Sequence, residues 1–208
     1  MPRPSDSVSI VSGSSLVLLG TIFELGIAFI AKIFMARYLG VYDYGIVSVG
    51  IIILSISTTF VVLGLHHGIA RYLPRFKQSS DKRGILISAF SITTVTSLIV
   101  AFCLFIFADY IAINVFSNPS FSPILKVFAG AVPFAAFIRM VIGSMQGEKR
   151  ASPAVFIQNI VLPSARFILI IIVILVGVSA VKVAWAYLLA YATAALVGVY
   201  TLYRYTQM

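Results

Sequence analysis

Residues Val8–Met35 form a run of 28, VSIVSGSSLVLLGTIFELGIAFIAKIFM, whose apolar character is interrupted by two charges, Glu24 and Lys32. At ~1.5 Å rise per residue, such a helix crosses a ~30 Å hydrocarbon core with some tilt to spare. A charged side chain near the bilayer centre costs roughly 2.5–3.5 kcal/mol on insertion scales. Both charges must therefore face a protein interior or a water-filled cavity. They lie eight positions apart and share one helix face. Ser9, Gly13, Gly20 and Ala31 continue much of that face as a small and polar stripe, whereas Leu18, Phe29 and Phe34 point elsewhere. Small residues permit close helix approach, so this helix is expected to pack inward along Gly13, Gly20 and Glu24.

The rest of the chain repeats the theme. Of its 208 residues, 61% are hydrophobic and 10% charged, with mean hydropathy +1.08. Soluble domains are about 45–50% apolar and ~25% charged. The expected fold is all-α: one polytopic membrane domain over 1–208, with helices at about 8–36, 46–73, 85–108, 123–145, 153–177 and 181–203. Pro74 closes the second helix. Asn118-Pro119-Ser120 is a turn signal. Pro123 and Pro153 sit near helix starts, where a missing N–H costs nothing. Trp185, Tyr187, Tyr200 and Tyr203 read as interfacial aromatics.

The 15 Lys and Arg outnumber the 6 Asp and Glu, but they are scattered between apolar runs and form no block, so no nucleic-acid partner is expected. A positive-inside bias explains them better. Arg3, Arg71, Arg75, Lys77, Lys82, Arg83, Lys149, Arg150 and Arg204 fall on one side; Arg37, Lys126 and Lys182 fall on the other. The nine-to-three asymmetry places both termini in the cytoplasm of a multi-pass cell-membrane protein. The lone Cys103 cannot form an internal disulfide. The first apolar run exceeds a signal-peptide core and is read as a retained helix.

Three basic residues fall within helices: Lys32, Arg139 and Arg166. Arg166 lies mid-helix, beyond easy snorkelling reach of either surface. Asn159 is seven residues earlier on the same face, with Gln158 beside it, and Pro163 frees a carbonyl one turn back and tolerates a kink. Arg166 has two readings. It lines a polar cavity and meets an anionic group such as a lipid diphosphate, which suits the guanidinium fork, or it pairs with Glu24 and fixes one helix on another. Arg139 stands about two turns from a helix end, where it lines the cavity or snorkels. Lys32 faces the same choice. Glu24 is a proton or cation site, or a partner of Lys32 or Arg166.

His66 and His67 diverge by about 100° on a helix, and no Cys or carboxylate stands near them to complete a site, so no metal is expected. No paired-carboxylate motif, Gly-rich phosphate loop, HExxH, CxxC or G-x-S-x-G occurs. Neither an enzymatic activity nor a cofactor is expected, and ATP-driven transport by this chain alone is disfavoured.

Two blocks carry a family resemblance. Ala36-Arg37-Tyr38-Leu39-Gly40 followed by Tyr44-Gly45 resembles the first-loop signature of polysaccharide flippases, the lipid-linked oligosaccharide flippases of the multidrug/oligosaccharidyl-lipid/polysaccharide superfamily. Gly64-Leu65-His66-His67-Gly68-Ile69-Ala70-Arg71-Tyr72-Leu73-Pro74-Arg75-Phe76 is similar to the end of helix two in the same family. The resemblance covers all six helices. It implies twelve or fourteen helices in two lobes around a central cationic cavity, working by alternating access. This chain would be the six-helix N-terminal lobe, its partner lobe coming from the same gene or a second chain, and its substrate a lipid-linked oligosaccharide or polysaccharide unit. On that reading the cavity residues are Arg166, Arg139, Glu24, Lys32 and Asn159. Two alternatives stand beside it: a cation-coupled multidrug exporter lobe, and a membrane scaffold subunit that transports nothing. Three buried cations against one buried acid favour an anionic substrate over a cationic drug.

Overall fold

The computed structural model describes residues 4–76, 78–148 and 151–206, with side chains over 15–76, 78, 80–148 and 152–204. Arg3, Lys77, Lys149 and Arg150 of the basic set, and Ser9 and Gly13 of the small stripe, lie outside these side chains. The protein is 92% helical, and no strand occurs among the described residues. Helix α1 runs Pro4–Val62 and α2 Leu65–Tyr72, followed by a 3₁₀ turn at Leu73–Arg75. Helix α3 spans Ser79–Ile106, and the short α4, Ala108–Tyr110, passes into a π-helical segment, Ile111–Val115. Helix α5 spans Phe121–Gly147. Helix α6, Ala151–Val155, a π-helical segment, Phe156–Val161, and α7, Leu162–Val176, follow as one continuous rod. Helix α8, Ala180–Thr206, closes the order. Five helical runs are long and apolar enough to cross a membrane: Ser15–Val62, Ser80–Ile106, Phe121–Gly147, Ser152–Val176 and Ala180–Arg204.

The first of these runs is not straight. A loop is expected over Arg37–Asp43, but the helical winding is interrupted at Gly40 alone, whose φ 78, ψ 167 lies in a region only glycine populates freely. Ala28 and Ile52 line one cavity, although 24 positions of continuous helix would hold them about 36 Å apart. The two halves of α1 therefore fold back on each other at Gly40.

The second expected helix, 46–73, is also interrupted. It stops at Val62, because Leu63 (φ 46) and Gly64 (φ 73) turn left-handed, a conformation that ends helices. The short α2 then lies along α5, so close that a Cβ at Gly143 would stand 2.6 Å from the His66 carbonyl. Likewise α7 ends at Gly177 (φ 107), whose carbonyl accepts from Lys182 Nζ at 2.8 Å.

Helix α5 is the core element. Two thirds (67%) of its span is buried, against 17% for α3 and 17% for the α6–α7 rod. Phe121, Leu125, Phe128 and Met140 are fully enclosed. Gly50 lets the second half of α1 close onto the Phe128 ring, and Tyr187 of α8 meets the same ring edge-on at 5.9 Å. The outward faces of α1, α3 and α7 carry exposed Leu, Ile and Phe, among them Leu18, Phe29, Phe102 and Leu175. A surface of that kind suits a lipid environment. Around α5, Asp109 and Ser122 hydrogen-bond and Lys126 Nζ pairs with Asp109 at 2.8 Å. Near its other end, Lys82 Nζ bridges to Glu148 at 3.3 Å.

Candidate functional site

A cavity of about 410 Å³ lies between the two halves of α1, α7 and α8. The first half of α1 contributes Ala31, Lys32 and Met35, and the second half contributes Tyr44 and Ser48. Arg166 and Tyr187 complete its polar lining. Ser48 donates its proton to the Tyr44 carbonyl at 2.8 Å, leaving its oxygen free to accept.

Arg166 enters this cavity with an aromatic backing. Its guanidinium carbon stands 4.8 Å from the Tyr187 ring centre and 5.2 Å from that of Tyr191. Such contacts stabilise by roughly 0.5–2 kcal/mol. Nε is buried without a hydrogen-bond partner, and among the described residues Arg166 makes no ion pair. The guanidinium thus lies over two rings with its Nε lacking an acceptor and its charge unpaired among the described residues. Lys32 is exposed on the same cavity.

Glu24 is placed differently. Asn159 donates from Nδ2 to Glu24 Oε2 at 2.9 Å and approaches Thr21 Oγ1 at 3.4 Å. The two helices meet closely here because Gly20 has no side chain: a Cβ would stand 2.7 Å from Val155 Cγ1 and 3.2 Å from Asn159 Cβ. Of the expected inward stripe, Gly20 is buried and Glu24 half-buried. Arg166 attracts Glu24 electrostatically, yet no ion pair joins them among the described residues. Asn159 and Arg166 both face the first half of α1, Asn159 against Thr21 and Glu24 and Arg166 beside Ala28 and Ala31. Phe156–Val161 winds as a π segment, and Asn159 does not line the cavity. Gln158 is exposed and joins neither group.

Arg139 stands apart from both. Its Nη1 donates to Thr59 Oγ1 at 2.9 Å, near the end of α1. The rings of His66 and His67 lie 3.8 Å apart. Among the described residues, no three His, Cys, Asp or Glu side chains gather as a metal would need.

The two tyrosines are what sequence reasoning misread. Tyr187 looks like an interfacial aromatic but is 5% exposed, and Tyr191 drew no attention. They stand four apart on α8, on one face; an aromatic pair at that spacing opposite a mid-helix arginine is the signal that would have found them.

The helices and their lipid-facing surface define a polytopic membrane protein with an internal basic cavity. The model of the polysaccharide biosynthesis protein family matches residues 10–207, and the chain belongs to that family. Neither a curated protein nor a solved structure matches it significantly.

Proposed function

We propose that this chain is the six-span N-terminal lobe of a flippase for lipid-linked oligosaccharide or polysaccharide units, in which Arg166 receives the anionic phosphate of the lipid carrier. The observation that carries the reading is the Arg166 guanidinium, set over the Tyr187 and Tyr191 rings, in a cavity it shares with Lys32 and with no carboxylate in contact among the described residues. Packing does not require a guanidinium there, because Leu or Met fills similar space without the burial cost. A diphosphate-linked lipid supplies the missing acceptors in a planar, bidentate geometry, with its glycan in the cavity and its tails in the bilayer. Family membership and the basic cavity favour this substrate over a cationic drug. The halves of α1, divided at Gly40, count as two spans, which makes six. Both termini are cytoplasmic, by the basic asymmetry of the loops. A second helical lobe completes the cavity.

The test is glycan export by the complete transporter carrying Arg166→Ala, with expression and membrane insertion measured alongside. Export falls while the folded protein persists, and Arg166→Lys rescues only in part, because charge without the fork binds phosphate less well. Unchanged export in the Ala variant removes Arg166 from the mechanism. Loss of the folded protein together with export returns Arg166 to a purely structural role.

A further inference from the structure

Two apolar grooves open on the outside of the bundle, and the cations at their mouths are in opposite states. The first, about 770 Å³ between α3, α5 and α8, has Phe102, Val127 and Leu188 in its wall and Lys126 at its polar end. That ammonium is held at 2.8 Å by Asp109. The second, about 570 Å³, lies between α1, the α6–π segment and α8. Leu16, Val155, Ile160 and Val197 line it, and Arg204 in the last turn of α8 stands at its end. Arg204 is exposed and makes no ion pair or hydrogen bond among the described residues. Ser152, at the start of α6, brings a hydroxyl to the same end.

We propose that the second groove is a binding site for one anionic phospholipid of the leaflet in which α8 ends. An acyl chain lies along Leu16, Val155, Ile160 and Val197, and the phosphate sits on Arg204 beside the Ser152 hydroxyl. An apolar trough accepts a hydrocarbon chain without polar cost. A free guanidinium matches the planar acceptor pair of a phosphate, and basic pockets between membrane helices select anionic headgroups. The first groove offers the same hydrocarbon wall, but its cation is already neutralised, so it gives a negative headgroup no advantage. Charge state is what separates the two. The site shares no residue with the Arg166 cavity and stands or falls independently of the transport reading. It does share Val155 with the Gly20 contact, so a seated lipid touches the rod that carries Asn159.

The experiment is native mass spectrometry of the purified full chain titrated with phosphatidylglycerol or with phosphatidylcholine. One phosphatidylglycerol is retained in preference to phosphatidylcholine. Arg204→Gln weakens phosphatidylglycerol retention about five-fold, the worth of one basic residue at a membrane surface, and leaves phosphatidylcholine unchanged. Arg204→Lys keeps most of the preference. Val197→Trp, which fills the trough, lowers retention of both lipids, and Lys126→Gln alters neither. Circular dichroism melts confirm that each variant is folded. Equal retention of the two lipids by the unaltered chain overturns the proposal, as does an Arg204→Gln variant that behaves like it. An equal effect of Lys126→Gln reduces the site to general surface charge. Displacement of phosphatidylglycerol by a polyprenyl diphosphate assigns the groove to the carrier lipid instead.

Discussion

Arg139 and Arg166 are the same residue type in two apolar helices, and they are satisfied in different ways. Arg139 donates a hydrogen bond to the Thr59 hydroxyl at 2.9 Å near a helix end. Arg166 rests on two tyrosine rings in a cavity and keeps its Nε without an acceptor. A hydroxyl consumes a donor; a ring supports the cation and leaves its donors available. The first arrangement joins one helix to another, and the second leaves the charge without an ion-pair partner among the described residues.

The contrast is broken most directly by neutralising each arginine in turn. Arg166→Ala lowers export by about 10- to 100-fold, the loss of a charge-assisted contact worth ~1.5–3 kcal/mol. Arg139→Ala costs about 1 kcal/mol of stability, read as a lower melting temperature, and changes export only a few-fold. Equal losses of export from both variants would erase the distinction.

Next in size is the Glu24–Asn159 contact. Asn159→Ala leaves a half-buried carboxylate without its donor and destabilises by about 1–3 kcal/mol, visible in thermal melts in detergent. Asn159→Asp sets two acids face to face and is worse. The aromatic backing comes third. Tyr191→Phe keeps the ring and leaves export within two-fold of the original, whereas Tyr191→Leu removes one cation–π contact and lowers it about five-fold, equivalent to ~1 kcal/mol. A strong effect of Phe would make the hydroxyl, and not the ring, the working part.

How much of this the sequence tells depends on the range of the interaction. Apolar runs separated by turn residues announce the helices, since burial in lipid needs only length and composition. Arg166 is legible as well, because mid-membrane charge has few cheap explanations. Its tyrosine seat is legible only in part: the i, i+4 spacing puts Tyr187 and Tyr191 on one face, but that this face meets Arg166 depends on how α8 rotates against α7, a matter of packing. The break at Leu63–Gly64 and the π segment at Phe156–Val161 are silent. Glycine and proline are present nearby, but backbone winding is decided by the neighbours that α5 and α1 supply.

The smallest predicted effect concerns a pair outside the spans. Lys126, and then Ser122, hold the Asp109 carboxyl below its ordinary value of 3.8. A depressed carboxylate stabilises the folded state at pH above that ordinary value and progressively loses this contribution as the pH falls below it. The melting temperature should therefore decline slightly more steeply between pH 4 and pH 2 in the native chain than in Asp109→Asn. Identical slopes would show that the exposed pair contributes nothing, as many surface pairs do.

The single-residue break at Gly40 bears on how the protein is made. With Gly40 as the only non-helical residue between the halves of α1, insertion of the first half is expected to be coupled to that of the second. The two halves are expected to enter together as one hairpin turned at Gly40. Lys32, costly for a solitary helix, then arrives on a cavity already lined by Tyr44 and Ser48. Lengthening the joint by a flexible segment would uncouple these events, and the first half would face the insertion machinery before the Lys32 cavity has formed.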